Sequence, residues 1–348
     1  MTRFSEMNPT GAEWALRWDK GSLAVSALGG TMLPRFDLDD GRSISPLAVP
    51  PWAEERLPTD IPPTLAHMRG EWICVPFGAA GPLKEVAPDW RGVSDEIPDG
   101  PLHGPAANGV WTLADRGSNF ITIRFDDPSE HPVAWVERHF AVELGTPAVI
   151  CTLRIMPRHD AALPLGIHPV LKLPRRDGAM RIRPGEFRFG ITSPYLMGEG
   201  RPLAGLGRRF SDLAAVPGEG GKFVDFSRPP FAGQYEDAVQ LIGASGEVAA
   251  DNLDEQYTVL IEWDRTALPS CILWYSNEGL APPPWNRRHR ALGIEPACAA
   301  LGLGIKASAG RNPINAEGEP TAIAFKAGQI WQTTYRLSVG ASPVEGTD

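Results

Sequence analysis

The sequence predicts an all-β protein, a large antiparallel β-sandwich with few short helices. Its 37 glycines and 35 prolines recur along nearly the whole chain, and such frequent interruption favours short strands and loops over long helices. Alternation of apolar and polar residues, the period of a half-buried strand, appears repeatedly, whereas helical periodicity is scarce. Many half-buried strands spread over 348 residues indicate two packed sheets.

Three segments show the alternation most clearly. Their apolar faces are Val149, Cys151, Leu153 and Ile155; Tyr257, Val259, Ile261 and Trp263; and Trp331, Thr333, Tyr335, Leu337 and Val339. Turn-forming residues stand where strands are expected to reverse, at Asp40-Gly41, Ala244-Ser245-Gly246 and Lys326-Ala327-Gly328-Gln329. These segments predict strands that each bury one face.

We expect one domain over residues 11–340, with flexible termini at 1–10 and 341–348. The proline-bearing segment 43–65 could be mistaken for an interdomain linker. Its interleaved Leu47, Val49, Trp52 and Leu57 instead predict a loop packed on the body of the protein. Neither an internal repeat nor a low-complexity tract divides the chain.

The charge balance narrows the range of partners. The formal net charge is −9, and the basic residues are scattered except for one short cluster, so nucleic acid and anionic membranes are not expected partners. The first nine residues lack the features of a signal peptide, and no stretch approaches the roughly 20 apolar residues that span a bilayer. We expect a cytoplasmic protein, either a monomer or a homodimer.

The sequence contains no local signature of a metal or a nucleotide cofactor. Its four cysteines, Cys74, Cys151, Cys271 and Cys298, are far apart and are expected to be free, buried thiols. A phosphate-binding glycine loop, a zinc-protease helix motif and a serine-hydrolase elbow are all missing. We therefore expect neither metal nor cofactor.

Two segments place ionisable groups in apolar surroundings. His168 stands in Gly166-Ile167-His168-Pro169, and Glu295 in Leu292-Gly293-Ile294-Glu295-Pro296. A buried carboxylate needs hydrogen-bond donors or a cation, or else its pKa rises, which makes Glu295 a candidate general base. The alternatives are a structural core histidine at 168 and an ion pair of Glu295 with Arg287, Arg288 or Arg290.

A third group lies in Leu102-His103-Gly104-Pro105, where glycine and proline predict a tight loop that lets the imidazole of His103 project. Among the tryptophans, Trp285 shares a loop with Glu295 and could stack on the apolar face of a sugar. An exposed histidine and a packing tryptophan are the alternative interpretations.

Taken in order, these motifs resemble those of the aldose 1-epimerase (galactose mutarotase-like) superfamily. A Leu-His-Gly loop comes first, a His-Pro strand follows, and a hydrophobic-x-Ile-Glu-Pro segment lies near the C-terminal end. The segments Ser26–Met32 and Phe325–Gln329 look like the first and last hairpins of that family.

The resemblance implies a role for each residue. His168 would be the general acid that protonates the ring oxygen, Glu295 the base that deprotonates the anomeric hydroxyl, and His103 a second imidazole that holds the substrate. Asp237 in Tyr235-Glu236-Asp237 would bind sugar hydroxyls, and Arg69 would complete the site. Acid and base would face each other across the ring, as imidazolium and carboxylate.

The implied function is anomerisation of an aldose by acid/base-catalysed ring opening. The sequence departs from the family where Val170-Leu171 replace an aromatic pair after His168-Pro169, which leaves the identity of the sugar open. Two alternatives remain: a glycoside hydrolase that uses Glu295 with Asp237 or Glu71, and a non-catalytic carbohydrate-binding module. Arg287, Arg288 and Arg290 with His289 also allow a sugar phosphate as substrate.

Overall fold

The computed structural model describes residues 12–127, 130–199 and 202–342, and most of its regular structure is β-strand. The strands are β1 Glu13–Trp18, β2 Gly21–Ser26, β3 Met32–Asp37, β4 Ser43–Ile44, β5 Glu71–Cys74, β6 Thr112–Arg116, β7 Phe120–Asp126, β8 Val133–Val142, β9 Ala148–Pro157, β10 Ala161–Leu163, β11 Leu165–Lys172, β12 Met180–Pro184, β13 Phe189–Thr192, β14 Arg209–Phe210, β15 Val216–Pro217, β16 Phe223–Val224, β17 Tyr235–Ile242, β18 Glu247–Asn252, β19 Tyr257–Trp263, β20 Ser270–Asn277, β21 Arg290–Cys298, β22 Ile323–Phe325 and β23 Trp331–Ala341. The α-helices are α1 Pro63–His67, α2 Gly104–Asn108 and α3 Gly304–Ala309, and short 3₁₀ turns lie at Pro88–Trp90, Leu213–Ala215, Glu219–Gly221 and Asn315–Glu317.

Two large antiparallel sheets pack face to face. The larger has the order β1-β2-β3-β5-β11-β21-β20-β17-β13-β14, with β4 paired to β3, and the smaller has the order β12-β18-β19-β23-β9-β8-β7-β6. The pairs β10–β22 and β15–β16 stand apart from both. This is the predicted all-β sandwich with few short helices.

The alternating segments form neighbouring strands of the smaller sheet, namely β19, β23 and β9. On each, the predicted apolar face is buried in the core between the sheets, except that Trp331 is half-buried at a strand end. The opposite face of this sheet carries polar residues toward solvent, which is why the alternation is clean.

The larger sheet is covered on both faces. Its central strands β11, β17, β20 and β21 are buried along almost their whole length. Their inner face meets the smaller sheet, and their outer face carries a second apolar cluster that includes Trp52, Trp90 and Leu301. Trp52 comes from the segment that was predicted to pack on the body of the protein, and its side chain is fully buried. The outer face is therefore a surface roofed by loops, suited to hold a cavity.

An ion pair is buried between the two sheets. Arg138 of β8 donates hydrogen bonds to Glu71 of β5, to the hydroxyl of Tyr335 of β23, and to the carbonyl of Gly30 at 2.6 Å. Both Arg138 and Glu71 have 0% exposure. The negative charge of Glu71 is therefore compensated inside the core by Arg138 of the facing sheet.

The predicted turns have different outcomes. Asp40-Gly41 connects the paired strands β3 and β4, as expected for a hairpin. Ala244-Ser245-Gly246 carries the chain from β17 of the larger sheet to β18 of the smaller one. Lys326-Ala327-Gly328-Gln329 forms the predicted turn, in which the N–H of Gln329 donates to the carbonyl of Lys326 at 3.0 Å. The strands on either side of it do not form a hairpin, because β22 pairs with β10 and not with β23.

The extent of the domain over residues 11–340 stays a prediction, and residues 1–11 and 343–348 lie outside the described part. All four cysteines are buried and free, as predicted. Within the described residues, no helix is both long and apolar enough to cross a bilayer.

Candidate active site

The pairing of β11 with β21 brings His168 and Glu295 together. The paired residues on either side, Gly166 with Ala297 and Val170 with Gly293, place the two side chains level on adjacent strands. Imidazole Nε2 lies 3.4 Å from carboxylate Oε1. His168 is 5% exposed and Glu295 is 2% exposed. An imidazole and a carboxyl group far apart in sequence thus share one spot on the outer face of the larger sheet.

Glycines two residues before each of these groups make room for the site. A Cβ at Gly293 would lie 2.2 Å from Glu295 Oε1, so the carboxyl group folds back over its own strand into space that only glycine leaves free. A Cβ at Gly166 would lie 2.3 Å from the ring of Phe77. Both glycines lie on the same face as the residue they serve, since side chains alternate along a strand.

Aromatic rings enclose the imidazole of His168. Trp72, its cross-strand partner on β5, stacks on it with ring centroids 4.2 Å apart. Phe77 lies 6.2 Å away in a parallel orientation, and Trp274 and His103 approach edge-on at 5.8 and 5.0 Å. This packing holds the ring in one orientation and keeps bulk water from most of its surface.

His103 lies beside His168, with the two ring centroids 5.0 Å apart. It adopts a left-handed backbone conformation with φ 61° immediately before α2. Its Nδ1 accepts a hydrogen bond of 3.3 Å from the backbone N–H of Gly78, so Nδ1 carries no proton and Nε2 is the nitrogen left to donate. Burial lowers the pKa of His103 to about 4, which keeps this imidazole neutral.

Burial also sets the protonation of the central pair. It lowers the pKa of His168 well below its ordinary value and raises the pKa of Glu295 well above its own. Both shifts favour the uncharged forms. The sequence led us to expect an imidazolium at His168 and a carboxylate at Glu295. The environment instead favours a neutral imidazole and a protonated carboxyl group.

The carboxylate of β17 that lines the cavity is Glu236, and the neighbouring Asp237 points the other way. Asp237 accepts hydrogen bonds from the backbone N–H groups of Leu203, Ala204 and Ala238, which fixes a loop on the inner side. Strand alternation separates the two groups: Asp237 lies on the inner face with Tyr235, Val239 and Leu241, and Glu236 lies on the outer face with Ala238 and Ile242.

Glu236 is held by a hydrogen-bonded network. It accepts hydrogen bonds from the indole N–H of Trp274 and from Ser276 Oγ at 3.1 Å, and Ser276 Oγ lies 2.9 Å from Nδ1 of His289. Burial raises the pKa of Glu236 to about 8 and lowers that of His289 to about 4. At neutral pH the carboxyl group is thus mostly protonated and can donate a hydrogen bond as well as accept one.

His103, His168, Glu236 and Glu295 line a cavity of about 210 Å³. Trp285 forms part of its wall and packs edge-on against Trp274 at 6.1 Å. Arg69 follows α1 and does not line the cavity, so the guanidinium expected there is missing. Trp72, Phe77, Trp274 and Tyr195 complete much of the wall.

The basic cluster before Glu295 serves other contacts. Arg287 and Arg288 pair with Glu199 and Glu55 at the surface, and Arg290 donates to the side-chain oxygen of Asn277. None of the three lines the cavity or pairs with Glu295. No group of three or more metal-ligating side chains occurs among residues 12–127, 130–199 and 202–342.

Three solved structures share this architecture at low sequence identity. A candidate aldose 1-epimerase from Escherichia coli K12 matches with a TM-score of 0.62 and 16% identity over 95% of this chain and 99% of its own. This chain has the galactose mutarotase-like fold. A GalM/aldose epimerase homologue from C. elegans matches with a TM-score of 0.59 and 11% identity over 96% and 100% of the two chains.

A galactose mutarotase related enzyme from Lactobacillus acidophilus matches with a TM-score of 0.58 and 11% identity over 95% of this chain and 98% of its own. No protein-family model and no curated protein matches the sequence. At these identities the likeness establishes the galactose mutarotase-like fold, and the chemistry has to be argued from the site itself.

Proposed function

We propose that this protein is an isomerase that interconverts the α and β anomers of an aldose by opening and reclosing the sugar ring. The observation that carries the proposal is the contact of His168 Nε2 with Glu295 Oε1 at 3.4 Å on the floor of a cavity. Ring opening requires one group that protonates the ring oxygen and one that deprotonates the anomeric hydroxyl. Both oxygens are bonded to the same carbon, so a side-by-side acid and base suit the reaction.

The pair can supply both the acid and the base from the one proton that it holds. The proton that burial keeps on Glu295 can pass to His168 Nε2, which gives an imidazolium and a carboxylate at no change in net charge. The imidazolium then donates to the ring oxygen while the carboxylate takes the proton of the anomeric hydroxyl, and the C1 bond to the ring oxygen breaks. After rotation about C1–C2, closure on the other face of the aldehyde reverses both transfers.

The other polar groups of the cavity would hold the sugar. We assign His103 Nε2 as a donor to the ring oxygen or its neighbouring hydroxyl, and Glu236 as the ligand of ring hydroxyls in place of Asp237. Trp285 and Trp274 offer aromatic surface to the C–H face of the ring. Each correctly placed acid or base contributes about 10² to 10⁴ in rate.

A glycoside hydrolase would need a second carboxylate beside Glu295, and neither Asp237 nor Glu71 is available for that role. Asp237 is engaged by backbone N–H groups on the inner side, and Glu71 is paired with Arg138 between the sheets. A non-catalytic sugar-binding module has no need of an acid and a base in contact.

The test is polarimetry of freshly dissolved α-glucose and α-galactose with and without the protein. We expect mutarotation to accelerate in proportion to protein concentration. Binding by calorimetry without acceleration would support the binding module, and release of reducing ends from aryl glycosides would support hydrolysis. The surface variant Glu262→Gln, on the opposite sheet, is the matched control and should retain full activity.

A further inference from the structure

The cavity wall is poor in the groups that proteins commonly use to bind several hydroxyls. Apart from His103, His168, Glu236 and Glu295, its polar side chains are the Tyr195 phenol, the indoles and Thr64. The Thr64 hydroxyl is already directed at the backbone carbonyls of Leu102 and Ala107. The remaining wall is largely apolar and comprises Leu65, Met68, Phe77, Leu102, Met197, Ala238, Ile272, Leu280 and Leu301.

The cavity also lacks positive charge. No lysine or arginine is found among its described lining residues, whereas two carboxyl groups are. The nearest basic cluster in sequence, Arg287 and Arg288, is occupied by Glu199 and Glu55. A phosphate group in this space would be desolvated without a cation to pair with, which is strongly unfavourable.

The proposed roles of the catalytic pair define where the exocyclic carbon of a hexose lies. If His168 protonates the ring oxygen, then C5, bonded to that oxygen, lies beside the imidazole, and C6 lies one bond further. The rings around that imidazole are Trp72 at 4.2 Å, Phe77 at 6.2 Å and Trp274 at 5.8 Å, with His103 at 5.0 Å. The indole N–H of Trp274 is already donated to Glu236.

We propose that the preferred substrate is an uncharged 6-deoxyhexose, whose C6 methyl group packs against the aromatic rings around His168. This inference rests on the proposed anomerase function and narrows its substrate. A methyl group gains contact with the rings of Trp72 and Phe77. A C6 hydroxyl displaced from water there would compete with the ring oxygen for the nitrogen that His103 does not use toward Gly78, since the unpartnered indole N–H of Trp72 is itself buried.

Matched sugar pairs that differ only at C6 test the proposal. The ratio kcat/KM for anomer exchange is measured by NMR for galactose against 6-deoxygalactose, glucose against 6-deoxyglucose, and glucose against glucose 6-phosphate. We expect each 6-deoxy sugar to be favoured by about tenfold or more. Glucose 6-phosphate should react at less than about one-hundredth of the rate of glucose.

The outcomes separate the two proposals. Equal or better turnover of the hydroxylated sugars, or efficient turnover of glucose 6-phosphate, overturns the 6-deoxyhexose inference and leaves the anomerase function intact. Failure to accelerate exchange of any aldose overturns the anomerase function. The variant Phe77→His adds a polar group beside His168 and should shift the ratio toward the hydroxylated sugar, whereas the apolar control Phe77→Leu should keep the 6-deoxy preference.

Discussion

Gly293 offers the sharpest single perturbation of the proposed site. A Cβ at this position would lie 2.2 Å from Glu295 Oε1, while ordinary contact begins at 3.4 Å, so the carboxyl group must move by 3.4 − 2.2 = 1.2 Å. The backbone of Gly293 is not among the positive-φ positions, so alanine adds no backbone strain. The severe clash is with the flexible carboxyl end of Glu295, and a milder contact of 3.1 Å with Cβ of Trp274 requires only a small shift of β20. The fold should therefore survive at a cost of about 1 to 3 kcal/mol.

A displacement of about 1 Å in a catalytic group can cost about 10²-fold in rate. We therefore expect Gly293→Ala to lower kcat for anomer exchange about 100-fold, measured by NMR saturation transfer on a protein whose circular dichroism is unchanged. The control is Gly340→Ala on β23, where a Cβ meets nothing within 4 Å. Undiminished exchange by a folded Gly293→Ala protein would refute the claim that the position of this carboxyl group matters.

Two further predictions concern the buried charges. Burial raises the pKa of Glu236 to about 8 from an ordinary 4.5, so its contribution to stability is present at low pH and is lost as pH rises. The unfolding free energy of the wild type should thus fall relative to Glu236→Gln between about pH 5 and 8, by up to about 1.4 kcal/mol per pH unit. A difference in urea unfolding that stays constant over that range contradicts this. Arg138→Met leaves Glu71 unpaired in the core and should lower the free energy of unfolding by about 3 to 5 kcal/mol. The control Arg336→Met breaks a partly exposed pair with Glu262 and should cost at most about 1 kcal/mol. Equal losses in the two variants would count against the buried ion pair.

Much of the fold was accessible from the sequence because one sheet has a solvated face. Strands such as β23 alternate cleanly there, and their buried positions follow from the period alone. The central strands of the larger sheet, such as β11, are buried on both faces and show no alternation. Their pairing depends on contacts between segments far apart in the chain, which local pattern does not encode.

The candidate site was accessible only in part, for related reasons. The motifs identified His168, Glu295 and His103 as chemically unusual, but their contact arises from the β11–β21 register. The resemblance implies an aspartate and therefore Asp237, although strand alternation places Glu236 on the cavity side. Arg69 was expected to complete the site but does not line the cavity. It lies in the loop between α1 and β5, and the local sequence of a loop does not determine the direction of a side chain.

The electrostatic expectation failed for a different reason. Mutual attraction of His168 and Glu295 would favour their charged forms, but the rings around His168 and the near-complete burial of Glu295 make desolvation the larger effect. Neighbouring sequence predicted that Glu295 is buried, whereas the stack of Trp72 on His168 required the pairing of β5 with β11.

The central claim is that His168 and Glu295 act as one proton-transfer unit. Its most direct test is the rate of anomer exchange, measured by two-dimensional NMR exchange spectroscopy, in His168→Gln, Glu295→Gln and the double variant. The control is His139→Gln on β8 of the smaller sheet. Groups that act together are non-additive, so we predict that each single variant loses about 10² to 10⁴ in rate and that the double variant is no slower. Wild-type exchange in either single variant, or losses that multiply in the double variant, would contradict it.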